Sequence, residues 1–321
     1  MTRVAIIDDW GGMVRALPVW KRLDGRATID AFQDTLADED ALARRLAPYE
    51  IVVPTRERTF LHAGLLGRLP ALRLLAIGGR WTGQVDLAAA AAKGIVVTDT
   101  EGSGVNAFEH TVALMMALVR RVPQEDRAMR AGRWQTPPIG VDMHGKTLGV
   151  IGLGRIGGKM AAFGQLLGMR LLATGLTLTD ERAAAAGATR VDLDTLLRES
   201  DVVSVHYRLS DKTRGLITAR HLALMKPGAF LVNTARGPIV DEKALLDALR
   251  ARRIAGAALD VFDVEPVPKD HPFLALDNVV LTPHLGFVTA EGYGIFFGQA
   301  TESILAYLDG KTPSRVVAAR G

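Results

Sequence analysis

The chain has 321 residues, 48% of them hydrophobic and 23% charged, with a formal net charge of +4 and no cysteine. That length is too great for one small core and suits two domains of ordinary size, and the composition is that of a soluble, well-packed protein. The lack of cysteine excludes disulfides, thiolate metal sites and a cysteine nucleophile, the apolar runs are far too short to span a membrane, and the arginines fall in scattered pairs such as Arg44-Arg45, Arg120-Arg121 and Arg252-Arg253 that read as solvated helix faces and not as a nucleic-acid surface.

The first residues, Met1-Thr2-Arg3-Val4-Ala5-Ile6-Ile7-Asp8, enter a strand at once with no leader pattern, so a cytoplasmic location is expected. Strand-like segments at residues 4–7, 29–32, 51–53, 74–77 and 95–98 alternate with helical stretches, which predicts βαβ units and a parallel sheet. Residues 108–129 carry an amphipathic pattern rich in alanine, leucine and methionine and read as one long helix, followed by a connection over 132–145. The alternation restarts at 147–151, 170–173, 201–206, 230–233, 255–259 and 278–281, predicting a second doubly wound sheet in an α/β fold. The tail holds a helix over 290–308 and is too short to fold alone, so it is expected to pack back on one of the two domains.

Gly152-Leu153-Gly154-Arg155-Ile156-Gly157 follows a strand and opens a helix. In that setting the first glycine makes a tight turn, the second lets backbone N–H groups approach a pyrophosphate, and the third permits close helix–strand packing. The helix N-terminus adds partial positive charge, so dinucleotide binding is predicted. An Asp or Glu about 20 residues on is the usual partner of the NAD ribose. Here the second strand ends Ala173-Thr174-Gly175-Leu176-Thr177, and Asp180 and Glu181 read as first-turn residues of the next helix. With no carboxylate to repel it, a 2′-phosphate fits against Thr174, Thr177 or Arg182, which favours NADP over NAD.

Three runs further on, Thr234-Ala235-Arg236-Gly237, Asp260-Val261-Phe262-Asp263-Val264-Glu265-Pro266 and Thr282-Pro283-His284-Leu285-Gly286, each follow a strand-like segment. Ligands of open α/β sheets collect at the carboxyl ends of strands. The runs supply an arginine to fork onto a carboxylate or reach a carbonyl (Arg236), an imidazole to exchange a proton (His284) and a carboxylate to partner that imidazole (Glu265). The set suits reduction of an α-keto acid. The remaining histidines, His62, His110, His144, His206, His221 and His271, lack ligand-like spacing and read as structural or surface residues, with His206 placed at a strand end where it can meet a cofactor. No metal is expected.

The glycine loop, Ser200-Asp201-Val202-Val203-Ser204-Val205-His206, Met225-Lys226-Pro227-Gly228, Asn233-Thr234-Ala235-Arg236-Gly237 and the two later catalytic runs resemble, in the same order, the D-isomer-specific 2-hydroxyacid dehydrogenases, glyoxylate and hydroxypyruvate reductases among them. The resemblance implies a Rossmann dinucleotide-binding domain at 101–283 inserted into a flavodoxin-like substrate domain at 1–100 and 284–321, with hinges near Thr100 and Pro283. It implies Arg236, Glu265 and His284 as catalytic residues, cofactor contacts from Thr234 and Ala235, and Asp260 as acceptor for the nicotinamide carboxamide. Gly79-Arg80-Trp81-Thr82-Gly83 looks like the loop whose amides hold the substrate carboxylate, with Arg56 as a second anion contact. The long helix after Glu101 and the arm around Trp134 look like the family's homodimer interface. Gly175 stands where NAD-specific members have aspartate, and the chain stops at Gly321, which is expected to set it apart from the long phosphoglycerate dehydrogenases. Two other readings use the same fold: a dinucleotide-sensing corepressor, and formate dehydrogenase, which pairs its histidine with glutamine where this chain has Glu265.

Overall fold

The structure, a computed structural model, describes residues 1–81 and 83–317. The chain divides into two compact units: Met1–Ser103 with the segment from Thr289 onwards, and Gly104–Val288. The sequence reading sets the changeovers at 100/101 and 283/284; the units change over at 103/104 and 288/289, so His284 belongs to the second unit.

The first unit runs β1 (Thr2–Ile7), β2 (Ala27–Ala31), α1 (Glu39–Leu46), β3 (Ile51–Pro54), α2 (Ala63–Gly67), β4 (Leu74–Ala76), α3 (Leu87–Ala92) and β5 (Val96–Thr98). Its strands form a parallel sheet in the order β2-β1-β3-β4-β5. β3 and β4 are buried along their whole length, as expected of a parallel sheet covered on both faces. One face buries Ala5, Ile7, Val52, Leu75 and Val97 against Leu42, Leu46, Leu65 and Leu66 of the helices.

The second unit contains α4 (Val105–Val119), α5 (Val122–Arg130), β6 (Thr147–Ile151), α6 (Arg155–Leu166), β7 (Arg170–Thr174), α7 (Asp180–Ala185), β8 (Thr189–Arg190), α8 (Leu193–Glu199), β9 (Val202–Val205), α9 (Ala219–Leu224), β10 (Phe230–Asn233), α10 (Glu242–Arg250), β11 (Gly256–Leu259) and β12 (Val279–Leu281). The sheet order β12-β11-β10-β9-β6-β7-β8 places β6 at the reversal point of a doubly wound, dinucleotide-binding topology. Period-two alternation feeds two cores: Val203, Val205 and Leu231 enter one, Val202, Val232 and Ala258 the other. The last helix, α11 (Ala290–Leu308), returns to the first unit, where Phe297 meets Trp20 with ring centroids 6.0 Å apart.

Two elements differ from expectation. The single helix over 108–129 is two, α4 and α5, because Pro123 lacks an amide hydrogen and its ring clashes with the carbonyl four residues back. Arg121 turns into the left-handed region at φ 59°, and the Val119 carbonyl accepts from Val141 N–H at 3.0 Å instead. The two-residue edge strand β8 escaped notice since Thr189-Arg190 is exposed and has no apolar pattern to read.

Candidate active site

The runs that carry Arg236, Glu265 and His284 follow the C-terminal ends of three adjacent strands, β10, β11 and β12. After β10, the buried Asn233 ties the Arg236 loop: its Oδ1 accepts from Ala235 N–H at 3.0 Å and its Nδ2 donates to the Arg236 carbonyl at 3.0 Å. Gly237 is required there, because a Cβ would run into the Phe262 carbonyl of the neighbouring loop. The Arg236 guanidinium donates through Nη1 to the Ala235 carbonyl at 2.6 Å.

After β11, Glu265 is held at both oxygens. Oε1 accepts from Phe262 N–H at 2.9 Å and Oε2 lies 2.6 Å from His284 Nδ1. An ionised carboxylate only accepts, so Nδ1 carries hydrogen and Nε2 is the nitrogen that can exchange a proton. His284 sits at φ 53°, a conformation that non-glycine residues adopt only when the surroundings impose it, and Phe287 packs edge-on against its ring at 5.4 Å.

What imposes it is Asp260. This buried carboxylate receives Thr282 Oγ1 at 2.6 Å, Leu285 N–H at 2.7 Å and His110 Nε2 at 3.1 Å on Oδ1, and Gly286 N–H at 2.8 Å on Oδ2. Burial alone raises its pKa, but the hydrogen bonds of His110 and Thr282, the His110 charge and the Leu285 amide outweigh that and hold it below the ordinary carboxylate range. A carboxamide reaching Asp260 would share it with these donors, so the first task of Asp260 here is to clamp the loop that carries His284.

The glycine loop has the geometry a dinucleotide needs. Gly152 sits at φ 96°, a Cβ on it would press on the His206 backbone at 3.1 Å, and a Cβ on Gly157 would overlap the Gly152 carbonyl. α6 begins at Arg155 after Gly154, which has no side chain to cap the helix, so the partial positive charge of its N-terminus suits an anion; Ile156 lies in the same turn. Burial pushes the His206 imidazole down to about 4, so it is neutral at the end of β9, 2.8 Å from Ser204 Oγ. At the end of β7, Thr174 and Gly175 lead into a turn that Tyr207 anchors: its hydroxyl accepts from Leu176 N–H at 2.7 Å. Arg182 donates to the Thr177 carbonyl at 3.0 Å, and Thr179 caps α7, so Asp180 and Glu181 are indeed first-turn residues.

The expected carboxylate loop lies in the first unit. Among the described residues no acceptor meets the amides of Gly79 and Arg80, while Trp81 N–H is 3.2 Å from Asp99 Oδ2. Trp81 packs against the first core and its indole donates to the Val85 carbonyl at 3.1 Å, so it anchors the loop. Arg80 is exposed, 4.0 Å from Glu101, and Gly83 turns at φ 109°. Thr82 lies outside the described residues. Arg56, itself left-handed at φ 63°, lays its side chain along Gly79 and its guanidinium over the Phe296 ring at 5.6 Å. Among the described residues no group of three or more His, Asp or Glu side chains is arranged to hold a metal, and no helix is long and apolar enough to cross a membrane.

The family model "D-isomer specific 2-hydroxyacid dehydrogenase, NAD binding domain" matches residues 112–286. The chain belongs to this family. Among curated members, a glyoxylate reductase of Aeropyrum pernix is 42% identical over 266 residues, 80% of this chain and 79% of that one. A D-3-phosphoglycerate dehydrogenase of Archaeoglobus fulgidus is 41% identical over 254 residues, 78% of this chain but 48% of that protein; the chain spans about half the length of that relative. Among solved structures, a phosphoglycerate oxidoreductase from Vibrio cholerae superposes with a TM-score of 0.92 at 35% identity, covering 97% of this chain and 100% of that one. The two doubly wound sheets of this family member are those the family resemblance implied.

Proposed function

We propose that this family member reversibly reduces a small 2-keto acid to a D-2-hydroxy acid, with a nicotinamide dinucleotide held by Gly152, Gly154 and Gly157. The observation that carries the reading is the 2.6 Å Glu265–His284 contact, with Glu265 itself fixed by the Phe262 amide. Such a pair leaves Nε2 of His284 to give a proton to the substrate oxygen in reduction and recover it in oxidation. Arg236 supplies the cation that orients the keto acid and polarises its carbonyl. When bound, the cofactor supplies the two electrons and the hydrogen that the protein's own groups cannot.

NADP is the preferred form in this reading. A carboxylate at position 175 is absent, and the Gly175–Leu178 turn is lined instead by the Tyr207 hydroxyl and Arg182. The protein acts as a homodimer, supported by the apolar side chains left exposed in α5 and the arm after it, Trp134 at 78% and Ile139 at 89%. The test is initial-rate oxidation of NADPH and NADH with glyoxylate, hydroxypyruvate, pyruvate and a phenyl-substituted keto acid. Turnover with NADPH exceeding that with NADH is expected; binding of cofactor without turnover of any keto acid would refute the reductase reading.

A further inference from the structure

Two neighbouring residues of α4 each reach a different catalytic loop. His110 Nε2 lies 3.1 Å from Asp260 Oδ1 and 3.0 Å from Thr282 Oγ1. Thr111 Oγ1 lies 2.7 Å from Thr234 Oγ1. The spacing on the loop side is the same in both cases: Thr282 precedes His284 by two residues, and Thr234 precedes Arg236 by two.

The direction of each bond follows from counting hydrogens. Thr111 spends its one hydroxyl hydrogen on the Ala107 carbonyl at 2.7 Å, so the hydrogen shared with Thr234 comes from Thr234. Thr282 spends its own on Asp260 at 2.6 Å, so His110 Nε2 is the donor to both Asp260 and Thr282. α4 therefore offers an acceptor to the Arg236 loop and a donor to the His284 loop from consecutive positions. Both contacts are half-buried or deeper, where exchanging them for water is unfavourable.

We propose that His110 and Thr111 are positioning residues that fasten the His284 and Arg236 loops to one helix and so set the spacing between the proton-exchanging and substrate-orienting groups. The inference rests on the reductase reading for its kinetic consequence, but its structural content does not. Sheet hydrogen bonds fix where β10 and β12 end; they do not fix side chains two to four residues beyond those ends, and a misplacement of about 1 Å costs of order 100-fold in rate. The left-handed backbone of His284 makes that loop the one most in need of an outside hold.

The test uses two pairs of variants of the full chain: Thr111→Val with Thr111→Ser, and His110→Phe with His110→Gln. Four quantities are read: kcat and KM for the keto acid, the Kd of NADP by calorimetry, and the downfield proton NMR signal of His284 Nδ1–H against Glu265, assigned by its loss in His284→Gln. The expected result is that Thr111→Val and His110→Phe lower kcat by about 10- to 100-fold, leave the NADP Kd within about twofold, and, for His110→Phe, shift or broaden the His284 signal, while Thr111→Ser and His110→Gln recover most of both. Unchanged kcat and an unchanged signal in the apolar variants would overturn the proposal, and so would equal losses in the polar and apolar partners, which would mean that side-chain volume alone matters. If the native protein turned over none of the keto acids, the reductase reading would fail on its own; the NMR comparison would still decide the positioning. If His110→Phe did not fold, Thr282→Val takes its place: it removes the His110–Thr282 contact from the loop side together with the Thr282 bond to Asp260, and the same loss of kcat and change in the His284 signal are expected.

Discussion

Replacing Asp260 by asparagine removes a charge but keeps the shape, and the cost can be worked from four contacts. With its one oxygen in the place of Oδ1, asparagine keeps Thr282, Leu285 and His110 as partners and turns its amide group towards Gly286 N–H. The opposite orientation sets the amide against three donors and lies higher. In the better orientation the Gly286 amide loses its acceptor at about 1–3 kcal/mol, and the three remaining bonds each lose about 1 kcal/mol of charge assistance. Relief of the desolvation of a buried carboxylate returns part of this, which leaves a net loss of about 2–4 kcal/mol. Denaturant unfolding at pH 7 measures it directly, with kcat falling in parallel as the His284 loop loosens. The pH dependence supplies an independent check. The Asp260 pKa in the fold lies below its ordinary value of 3.8, so its contribution is complete above that value and disappears as pH falls through the folded value. The gap between native protein and variant is therefore constant from pH 7 to about pH 4 and closes below it. A gap smaller than about 0.5 kcal/mol at pH 7, within the range of ordinary surface substitutions, or one that closes well above pH 4, would refute the clamp.

Gly157→Ala drives a methyl into the Gly152 carbonyl and is expected to weaken NADP binding by about 100-fold in calorimetry, since the loop must move away from the pyrophosphate position. Gly175→Asp restores the carboxylate that pairs with the ribose and repels a 2′-phosphate; the NADP-to-NAD Kd ratio is expected to move towards NAD by about tenfold or more, with some loss of stability because the new Cβ approaches Leu178 Cβ at 2.8 Å. Trp81→Ala removes packing against the first core and the bond to Val85, so a loss of about 2 kcal/mol in unfolding free energy is expected with no change in NADP affinity; an unaltered stability would refute the anchoring role.

Much of the architecture was legible because parallel strands are buried on both faces and print themselves as short apolar runs, as at 147–151 and 230–233, where the predicted and observed bounds agree. The long helix was misread because its apolar period continues through Arg120-Arg121, and only the proline two residues later signalled the break. Glu265 and His284 were readable as a pair from their places after neighbouring strands. The roles of His110, Thr111 and Tyr207 were not, since each acts on a residue more than 30 positions away or on a different strand, with no local spacing to reveal it.

The sequence by itself determined most of the segments that become strands and helices, where the glycine loop turns, and which three side chains are the candidates to carry proton and charge. Those depend on local propensity and on residue chemistry, both written in the order of the chain. Tertiary structure decided which groups hold them: that Asp260 faces the His284 loop, that Trp81 turns into a core, and that one face of α4 reaches both catalytic loops. The Asp260 and α4 contacts join segments brought together only by the packing of β10, β11 and β12 against α4, the Trp81 contact depends on the core of the first unit, and a hydrogen bond exists only once both of its ends have a place.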